Sequence, residues 1–292
     1  MSNMTKARFW MLVVFLVPPI SLLIVFIYYL CMQSFWFAFF RFNAGQMDGF
    51  YGLGNFRDVL VSDRFAPAVW VTLKIVFWVS LLQIAGGFLL AYALVRSRRW
   101  VQSFGRVALF IPVVLPGTVV AILWKFFYTP EGGLLNEALS AIGLSGLTHA
   151  WLGTTETALY ASIFVNIWKY IGLTMIFFYL AMLNVSKDQL EAARVDGATS
   201  AKELWHIYLP SVKPIVELNL VMTVLGSLKA FDIYNMLTNG GPVGSTTTVT
   251  KLIVDSISYQ NYGQGAAISV MLFAAIGVVT VVIRRTMGGT EQ

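Results

Sequence analysis

Residues 9–40, FWMLVVFLVPPISLLIVFIYYLCMQSFWFAFF, contain no charged side chain. A helix rises about 1.5 Å per residue and the hydrocarbon core of a bilayer is about 30 Å thick, so a run of this length can cross a membrane. Lys6 and Arg8 precede it in the order typical of a signal peptide, but the run is too long for one, and the residues before Cys31 are too bulky for a cleavage site. The sequence therefore predicts a retained first membrane helix.

The rest of the chain repeats this pattern. Apolar residues make up 58% of the 292 positions and charged residues 12%, which would leave a soluble protein with more apolar surface than it could bury. The runs are too long and alternate too weakly for barrel strands, so we predict an all-α polytopic membrane protein, a single transmembrane domain over residues 1–292. The predicted helical spans are Phe9–Met32, Ala68–Val95, Val107–Tyr128, Thr157–Leu183, Ile215–Leu237 and Gln264–Ile283.

Lysine and arginine residues predict the orientation of these spans. Most of them fall on one side, including the loop from Arg96 to Arg106, so the positive-inside rule makes that side cytoplasmic. Both termini and a loop over residues 184–214 are then cytoplasmic, and external loops lie at about residues 33–67, 129–156 and 238–263. The net charge of +6 follows from this topology and does not indicate nucleic-acid binding.

Two of the spans contain residues that weaken a helix. Pro112 and Pro116 remove backbone donors from the third span, and Gly86 with Gly87 loosens the second. Such interruptions favour a transport pathway through the helix bundle. The glycine pair has a second interpretation, in which it only allows two helices to pack closely.

The cytoplasmic loop carries the most local signals, in the segment SKDQLEAARVDGATSAKELWHIYLPSVKP at residues 186–214. Ser186 with Gln189, and Ser200 with Glu203, have the spacing of a capping box, in which each side chain bonds to the other's backbone at a helix start. The loop is therefore predicted to form two short helices.

A turn and two stops complete that prediction. Gly197 lies between the two helices, where glycine turns a chain at low steric cost, and Pro210 and Pro214 are predicted to end the second helix. A compact amphipathic segment facing the cytoplasm suits docking into a groove on another protein. The alternatives are a solvated loop or a helix lying on lipid headgroups.

The same loop resembles the signature of the membrane subunits of binding-protein-dependent ABC importers, through Glu191-Ala192-Ala193, Asp196-Gly197-Ala198 and Leu209-Pro210. The resemblance implies the type I ABC importer permease fold, in which this coupling loop enters a cleft on a cytoplasmic ATPase and transmits its closure to the membrane helices. Glu191 is then expected to pair with a basic group there, Gly197 to form the turn, and the alanines to permit close approach.

Three further motifs are similar to the carbohydrate-uptake branch of that family: residues 52–56 (GLGNF), 133–136 (GLLN) and 237–242 (LTNGGP). They resemble the larger maltose-type permease and the glycerol-phosphate-type permease, although the long external domain of the maltose protein is absent here. The resemblance implies the bacterial inner membrane, a second permease subunit in a heterodimer, an extracytoplasmic solute-binding protein, and two ATPase subunits that hold ATP and Mg. The chain itself is expected to bind no cofactor.

A solute pathway is predicted on the fourth and fifth spans. A lysine at the centre of a membrane helix costs about 2.5–3.5 kcal/mol, so polar groups there usually face a bundle interior or a cavity. Helical spacing puts one set on a single face of the fourth span and another on the fifth, and the resemblance places substrate contacts on these two helices. The predicted pathway residues are Asn166, Lys169, Tyr170, Leu173, Thr223 and Ser227.

Several of these polar residues have simpler interpretations. Lys169 can bond to a neighbouring carbonyl group, and Thr223 and Ser227 can bond to the backbone of their own helix. Lys229 and Asp232, three residues apart near the external end, can neutralise each other.

Nothing in the sequence indicates an enzyme. A phosphate-binding loop needs a Gly-Lys dipeptide, which does not occur, and neither histidine, His149 or His206, lies in a metal-binding cluster. We therefore predict no catalytic and no metal-ligating residues, and expect ATP hydrolysis on a separate partner.

The leading hypothesis is a permease subunit of an ATP-driven importer that translocates a sugar or related polyol. The alternative is a self-sufficient secondary transporter or channel, in which Lys169, Lys229 and Asp232 would carry ion coupling or selectivity.

Overall fold

The structure is a computed structural model that describes residues 3–287 and, for side chains, residues 10–286. The predicted cytoplasmic location of the termini depends in part on Lys6 and Arg8, whose side chains lie outside these ranges. The outermost residues of the predicted 1–292 domain lie outside them as well.

The described chain is mainly helical. Its helices are α1 (Asn3–Leu23), α2 (Leu30–Phe37), α3 (Gly54–Val61), α4 (Phe65–Val95), α5 (Arg99–Val114), α6 (Gly117–Phe127), α7 (Leu134–Ala141), α8 (Ala158–Met182), α9 (Lys187–Val195), α10 (Ser200–Glu203), α11 (Leu209–Ser211), α12 (Lys213–Leu228), α13 (Asp232–Thr238), α14 (Val249–Ser258) and α15 (Tyr262–Met287). Wider π-helical turns occupy Ile24–Tyr29 and Leu204–Tyr208, and a 3₁₀ turn occupies Ser145–Leu147. The strands are β1 (Phe40–Asn43) and β2 (Gln46–Phe50).

The number of long apolar helices agrees with the membrane prediction. Four helical segments of the described chain are long and apolar enough to cross a bilayer: Trp10–Phe37, Phe65–Val95, Ala158–Met182 and Tyr262–Thr286. Two bent helix pairs raise the number to six if each pair forms one span. The all-α membrane architecture is therefore confirmed, and the first helix continues five residues beyond its predicted end at Met32.

The described chain divides into two compact units. The first comprises the chain up to Ser62 together with Leu252–Ala274, and the second comprises Asp63–Lys251 together with the helical residues from Ala275 onward. Every residue predicted to bind solute or to couple to an ATPase belongs to the second unit. The single transmembrane domain stays a prediction.

The first unit contains a β-hairpin that the sequence analysis did not predict. Strands β1 and β2 pair antiparallel, with Phe40 opposite Phe50 and Asn43 opposite Gln46. The two residues between the strands, at positions 44 and 45, both have positive φ, as a tight two-residue hairpin turn requires. Asn55 fastens the hairpin, because its Nδ2 donates to the backbone oxygen of Phe40 at 2.8 Å.

The third predicted span, Val107–Tyr128, is not one helix. Helices α5 and α6 meet at an angle of 102° around Leu115 and Pro116. Leu115 has ψ of 139°, because the ring of the following proline disfavours helical geometry in the residue before it. Pro112, by contrast, lies inside α5. The predicted interruption of this span is therefore confirmed, and of the two prolines Pro116 marks the break.

The fifth predicted span, Ile215–Leu237, is also interrupted. Helix α12 ends at Leu228, and α13 begins three residues after Lys229 at Asp232. The hydroxyl of Thr250 donates to the carbonyl of Leu228 at 3.4 Å, and the hydroxyl of Thr248 donates to the carbonyl of Ala230 at 3.0 Å. These side chains satisfy carbonyl groups that a continuous helix would have bonded internally.

The core of the second unit lies along α4 and α8. Gly86 and Gly87 occur in the middle of the continuous helix α4, where a β-carbon would approach Ile171 to 2.8 Å and Thr174 to 2.6 Å. The predicted loosening of this helix was therefore wrong, and the second interpretation, close packing, is confirmed. Toward Val95 the core is joined by Leu204, Tyr208 and Val212, which belong to the second half of the coupling loop.

Candidate functional site

A cavity of about 380 Å³ opens between three helices of the second unit. Helix α4 contributes two residues, α8 five and α12 five, and the break that follows α12 supplies the rest. The lining residues are Val79, Gln83, Asn166, Tyr170, Leu173, Thr174, Phe177, Asn219, Met222, Thr223, Gly226, Ser227, Lys229, Ala230 and Asp232. A volume of this size is typical of sites that hold a small molecule.

The lining follows helical spacing on each wall. On α8 the positions run from Asn166 to Phe177 in steps of three and four, a distance of about 16 Å along the helix. On α12 the steps of four join Asn219, Thr223 and Ser227. Five of the six predicted pathway residues line the cavity, namely Asn166, Tyr170, Leu173, Thr223 and Ser227, and their contact with solute stays a prediction.

Some polar groups of this lining already form hydrogen bonds within the protein, and others do not. Thr223 Oγ1 donates to the backbone oxygen of Asn219 at 2.8 Å, so its bond to its own helix is confirmed. Among the described residues, the Asn166 amide, the Tyr170 hydroxyl and the Ser227 hydroxyl have no hydrogen-bond partner. These three groups are therefore available to bind a solute.

Three polar lining residues were missed by the sequence analysis. Gln83 and Thr174 bond to each other across the helices, with Gln83 Nε2 donating to Thr174 Oγ1 at 2.9 Å, and Asn219 lies one turn before Thr223. All three are less than a tenth exposed. The sequence signal that could have identified them is an amide or hydroxyl side chain inside an apolar run. Such groups are costly at membrane depth and usually face a cavity or a partner.

Lys169 does not line the cavity, contrary to its predicted place in the pathway. Its side chain is 3% exposed, and its ammonium group donates to the backbone oxygens of Val113 at 3.3 Å, Pro112 at 3.4 Å and Leu115. These are the carbonyl groups that the end of α5 leaves without helical partners. The simpler interpretation, a lysine bonded to neighbouring carbonyls, is confirmed.

The second break contributes two charged residues to the cavity lining, Lys229 and Asp232. Among the described side chains, no ion pair joins Lys229 to Asp232, so their predicted mutual neutralisation was wrong. The Asp232 carboxylate instead occupies the space where a β-carbon of Gly117 would lie, beside the N-terminus of α6, and it acts electrostatically on Lys169. A negative charge is favourable at a helix N-terminus. The two helix breaks therefore meet around one buried cation and one anion.

The predicted pair of cytoplasmic helices is present as α9 and α10. Gly197 separates them with φ of +75°, and Ala198 donates its backbone N–H to the Ala193 carbonyl at 2.8 Å, which closes the end of α9. We call residues 186–211 the elbow. The predicted turn at Gly197 is confirmed.

The predicted capping boxes are wrong. Among the described side chains, that of Ser186 makes no capping bond at the start of α9. The N-cap of α10 is Thr199, whose hydroxyl accepts from the backbone N–H of Lys202 at 3.4 Å, and Ser200 is already helical. Glu203 is not available for a capping box because two arginine side chains bind it.

The second arm of the elbow, residues 200–211, continues as a helix through Pro210. A wide π turn comes first, and it lets the Leu209 N–H bond to the carbonyl of Leu204, five residues back. Widening the helix there relieves the clash that a proline ring makes with the preceding turn. The helix therefore ends at Ser211, and Pro214 lies in the first turn of α12, which corrects the predicted stop at Pro210.

The elbow presents a mixed polar and apolar surface to solvent. Val195 is 88% exposed and Trp205 59% exposed, beside the exposed charges of Glu191 and Asp196. The elbow therefore exposes both charge and apolar area to its surroundings. Of the remaining signature residues, Ala192, Gly197 and Pro210 are exposed, and Ala193, Ala198 and Leu209 are half-buried.

This arrangement of membrane helices and cytoplasmic elbow coincides with a known family. Residues 83–287 match the family described as "Binding-protein-dependent transport system inner membrane component". The match spans more than half of the chain and includes the elbow and every cavity-lining residue except Val79. The chain belongs to this family. It is thus a multi-pass inner-membrane permease subunit of an ABC importer.

Curated relatives resemble this permease along most of their length. It is 33% identical to the probable ABC transporter permease protein YurN of Bacillus subtilis over 83% of each chain. It is 31% identical to the multiple sugar-binding transport system permease protein MsmF of Streptococcus mutans over 91% of each. It is also 31% identical to the trehalose/maltose transport system permease protein MalF of Thermococcus litoralis, over 91% of this chain and 90% of that one.

Solved structures share the fold of the permease. A bacterial ABC transporter involved in the import of the acidic polysaccharide alginate matches with a TM-score of 0.86 over the full length of both chains, at 22% identity. A bacterial alginate ABC transporter in complex with an alginate pentasaccharide-bound periplasmic protein matches with a TM-score of 0.83 at 24% identity, over 96% of this chain and 94% of that one. The predicted permease fold is confirmed.

Proposed function

We propose that this permease passes a neutral sugar or related polyol through the cavity described above. The observation that carries the proposal is the unoccupied set of uncharged hydrogen-bonding groups on Asn166, Tyr170 and Ser227. Sugars present hydroxyl groups to amides and hydroxyls of this kind, and the rings of Tyr170 and Phe177 add apolar faces. Relatives named for multiple sugars and for trehalose and maltose support the choice of solute.

The lysine at membrane depth supports a neutral solute over an anionic one. Three carbonyl oxygens accept hydrogen bonds from the Lys169 ammonium group, so this charge is directed toward the end of α5. The same engagement of Lys169 removes a main candidate for ion coupling, which argues against a self-sufficient secondary transporter.

The complete importer contains further subunits. We propose a second permease that closes the cavity, an external solute-binding protein that delivers the sugar, and two ATPase subunits that bind ATP and Mg. The neighbouring alginate transporter in complex with a periplasmic protein supports this assembly. Both termini and the elbow of this permease then face the cytoplasm, as the distribution of Lys and Arg predicts.

The elbow is the proposed contact with an ATPase. Its exposed Glu191, Asp196, Val195 and Trp205 offer a surface with both charge and apolar area. Closure of the ATPase subunits would move this surface, and the packing of Leu204 and Tyr208 into the core along α4 and α8 would pass the movement to the cavity.

The solute proposal is tested in the importer reconstituted into liposomes with its binding protein. Asn166→Leu and Ser227→Ala are expected to raise the KM for sugar uptake about two- to tenfold each, because one hydrogen bond contributes about 0.5–1.5 kcal/mol. The matched control is Ser162→Ala, on the same helix as Asn166. The Ser162 hydroxyl bonds to the Ala158 carbonyl, and Ser162 does not line the cavity. An unchanged KM in both cavity variants, or uptake driven by an ion gradient without any ATPase, would contradict the proposal.

The elbow contact is tested by cysteine crosslinking. The sole cysteine, Cys31, is exposed, so it is first replaced by serine. Ala192→Cys or Ala198→Cys is then expected to crosslink to an ATPase subunit in the intact importer. A cysteine at Leu144 in the second predicted external loop serves as the negative control, because ATPases lie on the opposite side of the membrane. Absence of crosslinks from both elbow positions would refute the contact.

A further inference from the structure

Glu203 is a buried carboxylate in the elbow, whose other charged side chains are exposed. Its side chain is 2% exposed, although it lies at the end of the short helix α10. Acidic side chains are almost never fully buried unless they are paired. Both of its oxygens are paired: Arg194 Nε donates to Oε1 at 2.9 Å, and Arg96 Nη1 donates to Oε2 at 2.5 Å.

The two arginines come from different elements. Arg194 belongs to α9, the first arm of the elbow, whereas Arg96 directly follows the last residue of α4. The Glu203 carboxylate therefore ties both arms of the elbow to each other and to a helix of the membrane bundle.

A second group of contacts holds the same end of α4 against the elbow. The Tyr92 hydroxyl donates to the Ser200 carbonyl at 2.7 Å and accepts from Arg96 Nη1 at 3.1 Å. The rings of Tyr92 and Tyr208 lie edge to face with their centres 5.3 Å apart. The contact thus combines ionic, hydrogen-bonding and aromatic interactions over both ends of the second arm.

Helix α4 leads from this contact to the cavity. Arg96 is 13 residues, or about 20 Å of helix, from Gln83, which lines the cavity and bonds to α8 through Thr174. By covalent connection, the elbow continues only α8 and α12. The ion pairs also connect the elbow to α4, which forms the third wall of the cavity. Helix α4 must therefore follow when the elbow moves.

We propose that Glu203, with Arg96 and Arg194, is a positioning group that fastens the elbow to α4, so that movement of the elbow displaces the α4 wall of the cavity. The proposal rests on the proposed contact between elbow and ATPase. The ion pairs are expected to set how many solute molecules cross per ATP hydrolysed, whereas binding of the ATPase depends on the exposed side of the elbow.

The test compares variants of the reconstituted importer by uptake, ATP hydrolysis and copurification of the ATPase. Glu203→Gln and Arg96→Met are each expected to lower the ratio of solute imported to ATP hydrolysed at least threefold, within the range of known coupling mutations, with the ATPase still bound. Because the two residues form one pair, the double variant should be no worse than the worse single variant. Arg96→Lys, which keeps a cation, should restore most of the ratio.

The matched control is Arg98→Met, which removes an exposed positive charge two residues away. An unchanged ratio in Glu203→Gln and Arg96→Met would overturn the proposal, as would additive losses in the double variant. If Arg96→Met does not assemble, Arg96→Lys and Glu203→Gln still decide between these outcomes. A failure of the underlying elbow contact looks different. In that case Ala192→Cys and Ala198→Cys would give no crosslink to the ATPase even in a permease that keeps Glu203 and Arg96.

Discussion

The elbow and the two helix breaks both turn a helix, but in different surroundings. In the elbow, Glu203 holds the arms through ion pairs to Arg96 and Arg194. At the breaks, Pro116 interrupts the chain and the Lys169 ammonium group binds the carbonyl oxygens that α5 leaves free. A charged side chain anchors the elbow and the first break, but its partners are ions at the elbow and neutral backbone dipoles at that break.

The difference in exposure decides which anchor matters more for stability. The side chains of Arg96 and Arg194 are 36% and 55% exposed, so water can replace part of what Glu203 provides. Lys169 is 3% exposed, so water cannot readily replace the carbonyl groups that accept hydrogen bonds from its ammonium group. We therefore expect loss of Lys169 to destabilise the permease, and loss of Glu203 to affect coupling.

The largest expected effect follows from Lys169→Met. Removal of the ammonium group leaves the carbonyls of Pro112, Val113 and Leu115 without a donor and Asp232 without its nearby cation. The free energy of unfolding should fall by about 3–5 kcal/mol, because each buried acceptor left without a donor costs about 1–3 kcal/mol. Denaturant titration of the detergent-solubilised permease measures this change.

A matched control separates burial from charge. Lys125→Met removes an exposed lysine from the last turn of α6 and should change the unfolding free energy by less than about 1 kcal/mol. Equal stability of the two variants would show that the breaks are held by packing alone, and the contrast with the elbow would disappear.

The second prediction concerns close packing beside the first break. Gly172 of α8 lies against the backbone carbonyl of Leu109 in α5, where a β-carbon has no room. Gly172→Ala should therefore destabilise the permease by about 1–3 kcal/mol, the usual cost of overpacking. Gly277→Ala is the control, because its β-carbon meets no neighbour within 4 Å, and it should be neutral or stabilising. Equal thermal stability of both variants would contradict the prediction.

The helices and the cavity face were predictable because each depends on local periodicity. Apolar runs mark the spans, and steps of three and four residues place Asn166, Tyr170 and Ser227 on the cavity side. Pro116 also marked its break in advance. Lys169 shares the spacing of its neighbours, but the carbonyls at the end of α5 bind its long side chain away from the cavity.

The remaining features depend on partners that are distant in the sequence. The break after Leu228 has neither proline nor glycine and is satisfied by Thr248 and Thr250, which lie about 20 residues further on. The capping box at Ser200 failed because Arg96, 107 residues away, binds Glu203. In both regions hydrogen bonds to residues distant in the sequence decide the structure, and the local pattern contains no sign of them.

The third prediction uses a glycine of the elbow for contrast with Gly172. Gly197 has open space around its α-carbon but φ of +75°, so Gly197→Ala should cost only about 1–2 kcal/mol of backbone strain, confined to the elbow. Gly197→Asn should cost less, since asparagine tolerates this conformation. Hydrogen exchange should show faster opening of the elbow amides with global stability unchanged. Global unfolding as severe as that of Gly172→Ala would show that the elbow is not a separable lever.

The smallest expected effect is the pH dependence of the elbow. Burial by itself would raise the pKa of the Glu203 carboxyl, but its bonds to Arg194 and Arg96 outweigh burial and hold the pKa below its usual range. Tyr92 and Tyr208 also face this network, and burial raises the pKa of the Tyr208 hydroxyl above its usual range. The stabilisation is therefore complete above the unfolded pKa of about 4.3 and is lost as pH falls through the lowered value.

This linkage predicts a flat response at physiological pH. Protection of the elbow amides from hydrogen exchange, corrected for intrinsic rates, should be constant from about pH 8 to pH 5.5 and fall only in stronger acid. Glu203→Gln should start from weaker protection and show no such acid loss, because it has no carboxyl to protonate. A loss of protection in the unaltered permease that already begins above about pH 5.5 would contradict this prediction. The ionic anchor of the elbow would then be secondary, and the contrast with the carbonyl-bound lysine at the breaks would have to be drawn differently.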